Sequence, residues 1–362
     1  MSWIPMISYR TFRTYVQGHE GAKYLTLLFL VIILLFSIIF STFIGSVHIS
    51  FMSVLQVYGS QIPFLSRFIP ENFTATQYTI IASIREPEVL GGLVVGASLG
   101  IGGAVIQSIF RNPITEPYII GLSSGAALGA VMTIILGLTF LGLYTQQLLA
   151  FVFAMASVIV VYMFALRGGK AHPTYMLLTG VALSFFLSAI VALLLFSNIN
   201  LEDEAFFWLL GSLENINWLE LFPVTAVVIL CSVILGTQYR ELDALQMGDT
   251  HARSVGVNVE RTKGISIFLV ALSVSAAVSI SGLIGFVGLI MPHVARIIFG
   301  GSNRFVLPGS ALTGSIFLIL ADDIARGAVV GVVIPIGIIT GIIGVPFFLL
   351  IMRKMAGGKY GT

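Results

Sequence analysis

Cysteine is almost absent from this chain. Cys231 is the only one, and it lies in an apolar run, so neither a disulfide nor a thiolate metal site can be built from it. The five histidines, His19, His48, His172, His251 and His293, are scattered. None has a second His or Cys at ligand spacing, so no metal centre is expected. Charge is scarce as well: Asp, Glu, Lys and Arg make up 9% of the residues, against roughly 25% in an ordinary soluble chain. That excludes a soluble globular protein. A phosphate-binding Gly-x-x-x-x-Gly-Lys-Ser/Thr loop is missing too. Gly168-Gly169-Lys170-Ala171 and Gly357-Gly358-Lys359-Tyr360 lack both the leading glycine and the hydroxyl that would hold magnesium. The chain is therefore expected to hydrolyse no nucleotide by that route. The first twenty residues contain no apolar signal core or small-residue cleavage site, so the first apolar run is expected to be a retained helix.

What is present is oil. Hydrophobic residues make up 57% of the chain, and the mean hydropathy is +1.03. A membrane-spanning helix needs about 20 apolar residues. The runs 24–45, 88–110, 118–141, 146–166, 174–196, 219–237, 264–283, 306–326 and 332–352 meet or approach that length. Residues 286–299 form a tenth, shorter piece, expected to be tilted, or broken at Pro292 and sheltered by neighbours. With ten helices and both termini inside, fifteen basic residues fall on one side. Only Arg67, Arg85 and Arg326 fall on the other. This asymmetry follows the positive-inside rule and places both termini in the cytoplasm. The inner cations sit in short loops, which does not support a nucleic-acid face.

The expected fold is an all-α polytopic membrane protein with a single transmembrane domain. Residues 1–23 form a cytosolic lead, 24–353 a ten-helix bundle, and 354–362 a cytosolic tail. Gly92, Gly96 and Gly100, Gly121, Gly125 and Gly129, and Gly337 with Gly341 repeat every four residues, as close helix packing in lipid requires. The outer segment 46–87 carries Pro63, Pro70 and Pro87 and reads as a long loop. A second outer segment, 201–218, reads as an interfacial helix with Trp208 and Trp218 at headgroup depth. Gly103 precedes Pro113 by ten residues and Gly282 precedes Pro292 by ten, a hint of inverted duplication. On the inner side, Gly248 is placed to end one short helix, Asp249 to cap a second, and Gly256 to end it.

Two other chemistries fit parts of the sequence. Gly121-Leu122-Ser123-Ser124-Gly125 matches Gly-x-Ser-x-Gly, with His293 in another span, but no strand-to-helix elbow is expected around Ser123. An ion-coupled secondary transporter needs ionisable groups near the midplane. Here Asp322 and Asp323 lie near an outer helix end and Arg296 near an inner one.

Several blocks, in order, resemble the permeases of type II ABC importers, the family that takes up ferric siderophores, haem and vitamin B12. They are Val95-Gly-Ala-Ser-Leu-Gly100, Gln107-Ser-Ile-Phe-Arg-Asn-Pro-Ile-Thr-Glu-Pro117 with Gly121-Leu-Ser-Ser-Gly125, and Phe207-Trp-Leu-Leu-Gly-Ser-Leu213. Ala252-Arg-Ser-Val-Gly-Val-Asn-Val-Glu-Arg-Thr262 and Gly285-Phe-Val-Gly-Leu-Ile-Met-Pro-His293 follow. Ala321-Asp322, Pro335-Ile-Gly and Gly344-Val-Pro-Phe-Phe348 complete the set. The resemblance spans about residues 85 to 353.

It implies a homodimer with one path at its two-fold axis, and two cytosolic ATPase subunits beneath the coupling segment 241–259. An extracytoplasmic binding protein is implied outside. The chain needs no cofactor of its own, since ATP and magnesium belong to the partner ATPase. The implied ATPase-coupling residues are Leu245, Gly248, Asp249, Ala252, Arg253 and Gly256. The implied cytoplasmic gate comprises Asn112, Pro113 and Ile114 with His172, Pro173 and Thr174. Arg85 and Arg326 match positions that dock the binding protein's acidic lobes. This chain departs from the family with Glu88 where a second Arg is usual, and with Val333 where Glu is common. The implied cargo is a metal chelate, foremost a ferric siderophore, with haem, cobalamin or an oxyanion as other members' cargoes.

Overall fold

The computed structural model describes residues 9–45, 47, 49–62, 64, 66–67, 73–198, 201–214, 216–329 and 332–357. His48, Pro63, Pro70, Lys359 and the last five residues lie outside the described residues. The described chain is almost wholly helical. A short α1 (Tyr9–Gly18) leads into α2 (Glu20–Phe43). The outer segment expected to be a loop instead contains α3 (Phe51–Gln61), capped where Ser50 Oγ accepts the Ser53 N–H. The chain then rises into one continuous helix, Ala75–Phe110. Its parts are α4 (Ala75–Thr79), a π-helical stretch Ile80–Arg85, and α5 (Glu86–Phe110). A capping box between Thr74 and Gln77 starts it, which places its beginning thirteen residues before the expected 88.

The expected span 118–141 is shorter than predicted. Pro117–Ile120 is a 3-10 turn, Gly121 takes a left-handed φ of +84°, and α6 covers only Leu122–Leu136. Next come α7 (Thr145–Ala165), a two-residue hairpin pairing β1 (Leu166–Arg167) with β2 (Lys170–Ala171), and α8 (Pro173–Phe196). The helix expected at the outer interface is α9 (Glu202–Leu210). Trp218 begins α10 (Trp218–Thr237) rather than ending that helix, and its indole N–H donates to the Ala82 carbonyl at 2.8 Å. Two short helices follow, α11 (Tyr239–Gln246) and α12 (Asp249–Ser254), then α13 (Val259–Ser281). The last three are α14 (Val287–Phe299), α15 (Asn303–Gly327) and α16 (Ile336–Gly357).

Among the described residues, seven helices are long and apolar enough to cross a membrane; α6, α14 and the apolar part of α16 are shorter. At 1.5 Å per residue, the 13 residues of α14 reach about 20 Å, less than the roughly 30 Å of a bilayer core. The helix is not broken at Pro292, which lies inside it and is buried. The irregular backbone falls instead at 282–286, where Gly282 and Phe286 both have positive φ and the protein shelters the chain from lipid. Gly103 and Gly282 are not local equivalents: Gly103 sits mid-helix against the Gly288 backbone, whereas Gly282 terminates α13. Each half nonetheless pairs a long helix with a following short one, α5 with α6 and α13 with α14.

Helix α5 is the centre of the molecule: 83% of its most apolar window is buried, against 11% for α8 and 28% for α2. It packs on α13, α14 and α15. A Cβ at Gly96 would collide with the Gly314 carbonyl at 2.5 Å, so only glycine permits this approach of α5 to α15. Where lipid gives helices no hydrophobic drive to associate, such backbone proximity supplies the packing. Gly125 plays the same part against α7, whereas nothing among the described residues of this chain lies near Gly341. The outer faces of α2, α8 and α10 expose Phe29, Phe36, Phe185, Phe186, Phe222 and Leu230. An apolar surface this extensive fits a lipid boundary.

Candidate functional site

The first expected gate turn follows α5, whose last residue hands over to Arg111 in the left-handed region (φ +52°). Asn112 then organises the turn: its Oδ1 accepts the Ile114 N–H at 3.1 Å, and its carbonyl accepts the Thr115 hydroxyl at 2.8 Å. Pro113 cannot continue a helix, and Ile114 is exposed. A few residues on, the Glu116 carboxylate accepts the Phe286 N–H, while burial pushes its pKa above the ordinary carboxylate range. Tyr118 Oη donates to the Ile284 carbonyl at 3.1 Å. The loop that carries the first turn is thus fastened to the irregular segment ahead of α14.

The second turn leaves the β1–β2 hairpin. His172 donates its N–H to the Ala165 carbonyl at 3.4 Å, and its ring meets Tyr175 edge-on. Pro173 occupies the first turn of α8, where its missing N–H costs nothing. His172 and Thr174 are exposed. No hydrogen bond, ion pair or ring contact joins the two turns among the described residues.

The coupling segment folds as two short helices, with one change of detail. Gly248 ends α11 as expected, with φ +111° and its N–H on the Leu245 carbonyl at 3.0 Å. Asp249, however, does not cap α12. It is that helix's first residue, and its carboxylate instead takes Lys263 Nζ at 2.7 Å. Lys263 is only 1% exposed, and a buried ammonium has to find an anion. Gly256 closes α12 with φ +87° and a bond to the Arg253 carbonyl.

Leu245 and Ala252 were expected to couple to the ATPase, yet both side chains are buried, at 1% and 0% exposure. They hold the two helices to the bundle. The faces left bare carry Met247, His251, Arg253 and Val255. Beside them a cleft of about 560 Å³ opens between α11 and the start of α13, lined in part by Arg240, Glu241, Asn258 and Arg261.

Sequence reasoning missed the residues that bind this region to the rest. Asp243 accepts the Ser302 hydroxyl at 2.9 Å and the Asn303 N–H at 2.7 Å, capping α15 from another helix. Gln246 donates to Ser108 of α5 at 3.0 Å. Glu260 accepts from Arg253 at 2.9 Å and from the Ala171 N–H at 3.2 Å. Apart from Arg253 and Glu260, seven residues apart, these pairs are distant in sequence, so no spacing could have shown them. Asn258, which caps α13 through the Arg261 N–H, was the one legible signal here.

The outer residues depart furthest from expectation. Arg85, Glu88 and Arg326 are 4%, 3% and 7% exposed, so none is presented to a docking partner. Arg326 is spent inside the protein. It pairs with Asp322 at 2.8 Å, Asp323 at 3.1 Å and Glu88 at 3.5 Å, and it also donates to Ser41 Oγ. Arg85 donates to the carbonyls of Thr42, Phe43 and Val47 at the end of α2. The cause is desolvation: helix ends that pack this tightly bury their charges, and buried charges must be paired. Glu88, the departure from the family's Arg, supplies one of the carboxylates. Val333 is half-buried.

Neither rival chemistry gains a site. A 3-10 turn, not a strand, precedes Ser123, and no bond links it to His293 among the described residues. Asp322 and Asp323 are taken up by Arg326.

Residues 33–354 match the model of the FecCD transport family. The chain is 40% identical over 279 residues to the cobalamin import system permease protein BtuC of Halobacterium salinarum, covering 77% of this chain and 74% of that one. It is 37% identical over 278 residues to the hemin transport system permease protein HmuU of Yersinia pestis, covering 75% and 83%. It is 34% identical over 308 residues to the molybdate import system permease protein MolB of Haemophilus influenzae, covering 83% and 90%. A solved structure described as an inward-facing metal-chelate type ABC transporter superposes with a TM-score of 0.79 and 31% identity, covering 91% of this chain and 99% of the other. A multi-pass helical membrane chain with these blocks in this order is a member of the FecCD transport family, the permeases of type II ABC importers.

Proposed function

We propose that this protein is the permease subunit of an ATP-driven importer and forms the translocation path for a metal chelate, a ferric siderophore in the first instance. It is a transport subunit and not an enzyme. The observation that carries the reading is the pair α11–α12: anchored to the bundle through Leu245, Ala252 and Lys263, bare on the opposite face, and flanked by an open cleft. A surface so built receives force from a docked partner and passes it inward. Two ATPase subunits, which hold the ATP and magnesium, would seat there, and two copies of this chain would share one path. The termini and α11–α12 would lie on the cytoplasmic side of the cell membrane. The cycle is alternating access, in which nucleotide-driven closure of the ATPases tilts helices between outward and inward states.

The relatives' names span cobalamin, haem, Fe(3+)-citrate and molybdate. Two of these four cargoes, haem and Fe(3+)-citrate, carry iron, and the preference for an iron chelate rests on the family resemblance together with them. On the outside, a binding protein would find Arg67 as an exposed cation and Asp203, Glu204 and Glu214 as exposed anions, with Arg85 and Arg326 withdrawn. Its docking face is accordingly proposed to contact these groups rather than the two buried arginines.

Reconstitution in liposomes tests the reading. With its ATPase and binding protein the permease should accumulate ferric siderophore only when ATP is supplied. Uphill uptake by the permease alone on a proton or sodium gradient would establish the secondary-transporter alternative instead.

A further inference from the structure

Glu260 occupies the first turn of α13 and uses its two carboxylate oxygens on two different elements. Oε1 accepts from Arg253 Nη2 of α12 at 2.9 Å. Oε2 accepts the backbone N–H of Ala171 at 3.2 Å. Ala171 is buried, pairs across the hairpin with Leu166, and immediately precedes His172. The hairpin turns on Gly168 and Gly169, both at positive φ, a tight geometry that makes a short, stiff lever. Its far end enters α8 through Pro173, whose φ is fixed by its ring.

We propose that Glu260 is the positioning residue that conveys motion of the coupling helix α12 to the gate turn His172–Thr174. The inference rests on the importer reading and deepens it. Two features argue for this role over a stabilising one. The Arg253 and Glu260 side chains are 47% and 30% exposed, and an ion pair so wet contributes little to stability. In addition, α12 is pinned one turn earlier on the same face by the Lys263–Asp249 pair. Both anchors of α12 therefore lie on the first two turns of α13, so α12 and the N-terminal end of α13 move as one piece. Only Glu260, of the two α13 anchors, also holds the gate turn. The other gate turn, at Asn112–Ile114, has no bond to Glu260 and is fastened to the segment ahead of α14. The two turns thus receive their motion by separate routes.

Thiol labelling of the assembled permease–ATPase complex tests this without knowledge of the cargo. In a Cys231→Ala background, single cysteines are placed by His172→Cys or Asn112→Cys. Fluorescein maleimide labelling is then compared without nucleotide and with ATP and vanadate. In the parent, labelling at both positions should change with nucleotide. Glu260→Ala should abolish the change at 172 and keep it at 112. Arg253→Ala, which leaves both the Ala171 bond and the Lys263–Asp249 anchor in place, should weaken the change at 172 without abolishing it. Glu260→Gln has one acceptor for two donors and should give a partial loss at 172. If the change at 172 survives intact in Glu260→Ala, or if both positions lose it together in complexes that still assemble, Glu260 does not relay motion to that turn. A parent that shows no nucleotide-dependent labelling anywhere would count against the importer reading itself.

Discussion

Arg326 shows how much depends on where one side chain ends up. It stands among Glu88, Asp322 and Asp323, each within 3.5 Å, in a setting with little water. Removing one partner of a buried ion pair costs about 3–5 kcal/mol, and reversing its sign here would leave four carboxylates together. Arg326→Glu is therefore expected to lower the melting temperature and yield of folded permease, measured by fluorescence-detected size exclusion after heating. A normal melting curve with only binding-protein docking lost would place the arginine outside. The Lys263–Asp249 pair gives a second, asymmetric prediction. Lys263 is 1% exposed and Asp249 30%, so an orphaned Asp249 rehydrates whereas an orphaned Lys263 stays dry. Asp249→Ala should destabilise by several-fold more than Lys263→Met, whose thioether fills the same apolar channel. Equal melting shifts in the two variants would refute the asymmetry.

At the scale of elements, the turn between α11 and α12 is the place where local chemistry leaves no choice. Gly248 has φ +111° and ψ +153°, a region that is essentially glycine's alone and costs other residues about 1–3 kcal/mol. Gly248→Ala should leave the membrane bundle folded but reduce recovery of the ATPase when the permease is pulled down. Undiminished recovery would mean that the angle between the two helices does not matter for docking. Most spans were legible from the sequence because a bilayer demands about 20 apolar residues, and a run of that length is visible without any contact map. Boundaries failed where polar or special backbone chemistry intervened. Pro117 and Gly121 delay α6, Gly137 ends it early, and the capping box at Thr74 starts α4 inside an expected loop.

For the whole molecule, the uneven covering of its helices matters most. α5 is enclosed by neighbours while α8 is nearly bare, so the proposed second copy, like lipid, has uncovered helix faces to meet. In detergent, native mass spectrometry of the complex should give two permeases with two ATPases, and a one-to-one assembly would remove the shared axis. The two proposed gate turns, which share no hydrogen bond, ion pair or ring contact among the described residues, are expected to face their counterparts across that axis. The same packing explains why the candidate site was only half readable. Asn112, Pro113, His172 and Gly248 announce turns through their own backbone preferences. Glu260, Lys263, Asp243 and Gln246 look like ordinary polar residues until folding sets them against partners.

The sequence by itself determined that this is a multi-pass membrane protein, roughly where its helices run, and that two short helices interrupt its spans. Apolar run length, loop charge and glycine placement are local quantities, and they suffice for that. Tertiary structure alone decided which charges face outward. It drew Arg85 and Arg326 into the protein and tied α11 and α12 to α5, α13 and α15. The reason is physical: in a low-dielectric interior a charge is placed by whichever opposite charge or carbonyl packing brings within reach, and that distance is a property of the fold.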